Sequence, residues 1–329
     1  MEKESKVGGS TRSREETTPR LARRACLHRL TQLFLGGWLG QKALRGEPAP
    51  WPNPVGYATI SWPESEFQQA LETISSLGFK GVQMLGWVRE AYAGPQAGQL
   101  KSTLQRLRLR PAALSASGVR LDPARNNDET ENFRRYAAFL KTLGGRFLQV
   151  TDGGRPRGEY STDQIRSLGR RMDALGKIAQ EMGLELGYHP HFGTLGETRE
   201  GLGRVLEATD PRYVRLIADV AHLTLGGSDP AEVIRTYHSR LLFTHFKDVP
   251  RHTLSLARQN RDLVRGEKYR FCEIGRGAVN FPAILQAFRD VKFKGWVIIE
   301  LDAYRLPPGG AAESARVNRD AIAKMGFRV

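Results

Sequence analysis

Cysteine is scarce. Cys26 and Cys272 are the pair present in 329 residues, too few for a disulfide framework, and neither belongs to a C-x-x-C zinc pattern. Long apolar runs are missing too. The stretch "TQLFLGGWLG" is broken by Gln32 and too short to cross a bilayer, and no other segment qualifies as a membrane span. Blocks of five or six like charges are absent, although the formal net charge is +15. Residues 1–50 supply +5 of it, from ten Lys/Arg against five Asp/Glu, and the other +10 is spread along the chain. Spread charge describes a solvated basic surface, so no nucleic-acid partner is expected. No G-x-G-x-x-G follows the first strand-like run, which speaks against a dinucleotide-binding open sheet.

What is present divides at residue 50. The first part opens polar and charged, "MEKESKVGGSTRSREETTPRLARRACLHRL". It resembles a twin-arginine export signal, with paired Arg23-Arg24, Leu27 three residues on, and a modest apolar run containing glycines. Ala22, Cys26 and His28 depart from the usual pattern. The expectation is a leader over residues 1–50 and a periplasmic protein. The alternative is a disordered or amphipathic extension of a cytoplasmic one.

Residues 51–329 read as one domain, and the 40% apolar content of the full chain is ample for a large core. Short apolar and β-branched runs alternate with longer amphipathic stretches. The strand candidates are 55–62, 81–86, 111–118, 146–153, 184–191, 214–222, 241–249 and 295–303. The clearest helices are 65–77, 128–143, 162–182, 198–209 and 230–238, with start signals in "STDQI" and "DPAEV". Gly144, Gly183 and Gly295 stand where helices would stop. Eight β/α units in this length predict an α/β fold, a single (β/α)₈ TIM barrel.

A barrel does its chemistry at the C-terminal ends of its strands. Here those ends carry Asp152 on strand four, His189 and His191 on five, and Asp219 and His222 on six. Strand seven adds His245, Lys247 and Asp248, and strand eight Glu300 and Asp302. Four of the seven histidines therefore fall on one face. Strands one to three end in "SW", "LGW" and "SAS", so Trp62 and Trp87 would wall the other half, Trp62 as a substrate contact. Imidazole and carboxylate ligands in this mix suit one divalent ion, Mn, Co, Mg or Zn. Arg155 and Arg157, in "GGRPRGEY", would bind a phosphate on a sugar or form a plain basic loop.

The runs "GYHPHFGT", "IADVAHLTLGGSDP", "RLLFTHFKDVP", "CEIGRGAVNF" and "GWVIIELD" resemble, in order and placement, the xylose isomerase-like barrel family. That family includes sugar isomerases and epimerases, inosose dehydratase and endonuclease IV. The resemblance covers roughly residues 54–329 and is nearest to the inosose dehydratase branch, with an insertion at about residues 251–270. It implies Asp219, His245 and Glu300 as metal ligands. The fourth is His189 or Asp152, and the reading here takes His189 as ligand and Asp152 as a substrate or base residue. It further implies proton abstraction beside the carbonyl of a keto-sugar or keto-cyclitol, with the metal as Lewis acid. Glu300 or Asp152 would be the base, Lys247 would steady or protonate an oxygen, and His191 and His222 would hold or protonate hydroxyls. The outcome would be isomerisation, epimerisation or dehydration. A non-catalytic sugar-binding barrel is the alternative. An endonuclease IV-like activity would need further histidines on strands two and three, which this chain lacks.

Overall fold

The computed structural model describes residues 50–120, 126–153 and 160–329. The leader expected over residues 1–50 lies, Pro50 apart, outside the described residues, and so do Arg155 and Arg157. Eight parallel strands close in sequence order into one barrel. They are β1 Val55–Ala58, β2 Gly81–Met84, β3 Arg110–Val119, β4 Phe147–Asp152, β5 Glu185–Tyr188, β6 Val214–Asp219, β7 Leu241–Phe246 and β8 Val297–Ile299. Pairing of Gly56 with both Gly81 and Ile298 closes the ring. Between strands run α1 Phe67–Ser76, α2 Trp87–Ala91, α3 Gln96–Arg106, α4 Asn126–Leu143, α5 Thr162–Glu181 and α6 Arg199–Glu207. Then come α7 Val220–Leu225, α8 Pro230–Thr236, α9 Arg251–Gln259, α10 Asp262–Arg265, α11 Phe281–Asp290 and α12 Gly310–Lys324.

Alternation along each strand builds the interior in layers. Phe147, Ile217, Phe243 and Ile298 form a buried apolar cluster with Ala58, Ala112, Ala113 and Leu242. Each of those first four lies two residues before Gln149, Asp219, His245 and Glu300 respectively, so the apolar layer is the floor beneath a polar one. Gly81 and Gly187 share that floor because nothing larger fits. A Cβ on Gly81 would meet the Trp296 ring at 2.6 Å, and one on Gly187 would meet Ile217 at 2.5 Å.

The long helix α5 shows how the outer layer is specified. Its buried positions, Ile165, Leu168, Met172, Leu175, Ile178 and Ala179, recur at helical spacing. Ser161 and Gln164 close a capping box at its start, and Gly183 turns the chain at its end with φ +76. Gly169 and Gly176, seven apart, let α5 press on the backbone after α6. A Cβ on Gly169 would stand 2.0 Å from the Ala208 carbonyl oxygen. Gly169→Ala improves helix propensity, yet the clash dominates. The expected result in a denaturant melt is a loss of about 1–3 kcal/mol.

Two sequence boundaries move. Strand six, expected to reach residue 222, stops at Asp219, because that side chain caps α7 by accepting from the Ala221 and His222 amides. The helix stop expected at Gly295 comes earlier. Helix α11 ends at Asp290, and the left-handed residue behind it is Lys292, φ +53. Gly295 stays small for another reason: a Cβ there would lie 2.5 Å from the Phe293 ring.

Candidate metal centre and active site

His189 follows β5, Asp219 and His245 lie at the ends of β6 and β7, and Glu300 follows β8. One donor atom of each lies within 4.8 Å of the others, and all four residues are buried. His245 Nδ1 is 3.2 Å from His189 Nε2 and 3.2 Å from Glu300 Oε2. Asp219 Oδ2 is 3.4 Å from His189 Nε2 and 3.7 Å from His245 Nδ1, and His189 Nε2 is 3.9 Å from Glu300 Oε2. Donors about 2.1 Å from a tetrahedral ion stand roughly 3.4 Å apart, so these edges fit one ion. The facing imidazole nitrogens and two carboxylate oxygens would repel each other around an empty centre.

The charges give the same answer. Lys247, fully buried, reaches Asp219 at 2.9 Å, Glu300 at 3.3 Å and Asp302 at 2.6 Å. Burial alone would push the Lys247 pKa down, but the carboxylates of Asp219, Asp302 and Glu300 outweigh it and hold it above the ordinary lysine value. Burial opposes ionisation of Asp219 and Glu300 as well. Lys247 and the histidines overcome it, and both carboxyls stay well below the usual range. Burial lowers the His245 pKa, so that ring is neutral. Three carboxylates against one ammonium leave two negative charges, which a divalent ion would balance.

His191 and His222 form the adjoining wall. Their rings stack 4.3 Å apart at 10°, and His191 Nε2 is 3.2 Å from His189 Nδ1. Burial pushes both pKa values well below the histidine norm, helped at His222 by the neighbouring charge of Lys247. His189, His191 and His222 also bring nitrogens within reach of one another. A second ion there is disfavoured. The Phe192 amide donates to His222 Nδ1 at 3.0 Å, so the neutral ring carries its proton on Nε2, where an ion would need a lone pair. That Nε2–H is buried with no partner among the described residues. It is a ready donor to a substrate oxygen.

The remaining site expectations fall elsewhere. Asp152 is not in the four-donor cluster. Its oxygens accept from the Tyr188 hydroxyl at 2.9 Å and the Leu195 amide at 2.5 Å, and burial raises its pKa. Trp62 is buried edge-on against Tyr57, and Trp87 packs edge-on against Phe67. Asp248 organises the glycine loop, accepting from the amides of Val249, Gly275, Gly277 and Val279.

Three features escaped sequence reasoning. Gln83 of β2 donates to Glu300 Oε1 at 2.7 Å and contacts His245 Nε2 at 2.8 Å through its oxygen. Gln149 of β4 stands 2.8 Å from His189 Nδ1. The loop behind His191 is staked twice, by Asp152 on Leu195 and by buried Glu197. Glu197 accepts from the Gly193 amide at 2.7 Å and pairs with Arg265 at 3.0 Å and Arg261 at 3.5 Å. Those arginines come from α10 and its N-terminal flank, so the insertion anchors the loop. Glu197→Gln weakens this charged anchor by about 1–3 kcal/mol. The expected readout is faster hydrogen exchange at Gly193 and Leu195 with the barrel strands unchanged.

Residues 71–321 match the family model of the xylose isomerase-like TIM barrel. The inosose dehydratase of Geobacillus kaustophilus is 29% identical over 275 residues, spanning 76% of this chain and 88% of its own. Among solved structures, the IolI protein with a bound zinc atom superposes with TM-score 0.68 at 15% identity, over 84% of this chain and 100% of its own. The 3-keto-D-glucoside 4-epimerase of E. coli gives TM-score 0.64 at 16% identity, over 83% and 98%. The chain belongs to the xylose isomerase-like TIM barrel family.

Proposed function

We propose that this chain is a divalent-metal-dependent enzyme that moves a proton beside the carbonyl of an uncharged keto-cyclitol or keto-sugar and then expels water. The four-donor cluster with Lys247 carries this reading. With a divalent ion bound, the buried charges sum to zero, and such a site favours a neutral polyol over a phosphate or carboxylate. Two imidazoles among the donors favour Zn, Mn or Co over Mg, which prefers oxygen and water. When bound, the ion supplies Lewis-acid polarisation of the substrate carbonyl.

The chain's own groups divide the rest. Glu300 has Oε1 held by Gln83 and Oε2 beside His245 and Lys247, which leaves it poorly placed as a base. Asp152 is committed to Tyr188 and Leu195 and acts as a stake for the loop. His191, half-buried and neutral, is the proton-transfer group, and His222 Nε2–H holds a substrate oxygen. Lys247, with its raised pKa, balances the carboxylates and does not serve as a proton donor. The dehydratase relative supports loss of water over simple return of the proton.

Incubation with keto-inositol and 3-keto-sugars in deuterated water tests the reading. Loss of water from a keto-cyclitol supports it, and solvent deuterium without water loss replaces the dehydratase by an epimerase. A protein that binds no divalent ion and exchanges no proton is not this enzyme. Export through residues 1–50 is part of the same proposal, and N-terminal sequencing of the mature protein from a native host tests it. An intact Met1 in the cytoplasm ends it.

A further inference from the structure

The two imidazoles of the cluster face it through different nitrogens, His245 through Nδ1 and His189 through Nε2. Each has its far nitrogen against a glutamine. Gln83 Oε1 lies 2.8 Å from His245 Nε2, while its Nε2 donates to Glu300 Oε1 at 2.7 Å and approaches Ser115 Oγ at 3.5 Å. This fixes the amide's sense. The nitrogen must face the carboxylate, so the oxygen faces the ring and accepts its Nε2–H. His245 Nδ1 is thereby left as a lone pair pointing at the shared centre.

At His189 the amide of Gln149 stands the other way round. Its Nε2 is 2.8 Å from His189 Nδ1, and its Oε1 is buried with no hydrogen-bond partner among the described residues. Exchanging the two amide atoms by a half-turn removes the mismatch at the ring and sets the amide nitrogen, in place of the oxygen, in the position without a partner among the described residues. Oε1 then accepts Nδ1–H, and His189 Nε2 becomes the lone pair facing His245. A buried amide 2.8 Å from a ring nitrogen that needs an acceptor, a nitrogen that His191 Nε2 approaches only to 3.2 Å, is the observation that points to this state.

We propose that Gln83 and Gln149 are positioning residues that fix which nitrogen of His245 and His189 bears the proton, and so aim the other nitrogen of each at one ion. The inference rests on the metal-dependent reading above. The two glutamines differ in one respect. Gln83 also touches Glu300, so its amide nitrogen cannot be replaced by an oxygen anion without repulsion. Among the described residues the Gln149 side chain has His189 as its sole hydrogen-bond partner, so a carboxylate there is a better acceptor for Nδ1–H.

The test is titration of chelator-stripped full-length protein with Zn²⁺ and Co²⁺, followed by calorimetry and by the visible spectrum of bound Co²⁺. Gln83→Leu, Gln83→Glu and Gln149→Leu are expected to lose roughly 10–100-fold in metal affinity and to alter the Co²⁺ bands. Gln149→Glu is expected to keep or raise affinity, a rescue that a merely structural role would not give. Circular dichroism checks folding of each variant, and if a Gln83 variant does not fold, the Gln149 pair decides. Leucine variants within twofold of wild type with unchanged Co²⁺ bands overturn the inference, and so does equal loss in Gln149→Leu and Gln149→Glu. Wild-type protein that takes up no ion overturns the metal-dependent reading itself, which keeps the two failures distinct.

Discussion

On the metal-dependent reading proposed above, Asp219→Asn is expected to lose the divalent ion and to lower turnover on the order of 10³-fold, while the barrel stays folded. The side chain has two jobs on two oxygens. Oδ1 accepts from the Ala221 and His222 amides at 2.9 and 2.8 Å and so starts α7. Oδ2 faces His189, His245 and Lys247. Asparagine keeps the cap, because its carbonyl oxygen accepts the same amides. It loses the charge and one ligand lone pair. Lewis-acid assistance contributes several kcal/mol to such a reaction, and each 1.36 kcal/mol is a factor of ten. Asp219→Ala removes the cap as well and costs a further ~1 kcal/mol of stability. Metal content by mass spectrometry, turnover, and melts of both variants give the answer. An Asp219→Asn protein that still holds one ion per chain and works within tenfold of wild type would end the assignment of Asp219 as a ligand.

The rhythm of the chain made the barrel legible, because a buried parallel strand needs a short apolar run and the helix that follows needs an amphipathic one. The strand ends were legible for a similar reason. His189, Asp219, His245 and Glu300 are chemistry-bearing types interrupting apolar runs at the mouth, and the structure brings all four together. Orientation was harder to read. Asp152 ends β4 as expected, yet both its oxygens turn to Tyr188 and Leu195, a choice set by a loop forty residues on. Gln83 and Gln149 went unread because a glutamine carries no motif spacing. Gln83 meets its partner Glu300 across 217 residues of sequence, through closure of the barrel. A signal was nevertheless there. In "GVQM" and "FLQV" a glutamine interrupts a run that is otherwise without polar side chains, and a buried amide must have partners.

Lys247→Met is the variant expected to cost the most stability. Methionine is unbranched like lysine and adaptable, so packing over the Phe271 ring, which the ammonium nitrogen approaches to 4.7 Å, is largely kept. What disappears is the one positive charge that Asp219, Glu300 and Asp302 share. Removing one partner of a buried ion pair costs about 3–5 kcal/mol, because the remaining charges stay buried without compensation. For a domain of this size each kcal/mol moves the melting point by roughly 2–4 °C, so a fall of about 10 °C is expected in metal-free protein. A divalent ion that binds only the folded state returns part of the loss by mass action. Without the ammonium beside Asp219 and Glu300 a cation binds there more tightly, so the variant should gain more from added Zn²⁺ or Mn²⁺ than wild type does. Thermal melts with chelator and with excess metal measure both quantities. If Lys247→Met melts within two or three degrees (roughly 1 kcal/mol) of wild type without metal, the three carboxylates do not depend on that ammonium. If metal stabilises the two proteins equally, the ion and Lys247 do not serve the same carboxylates.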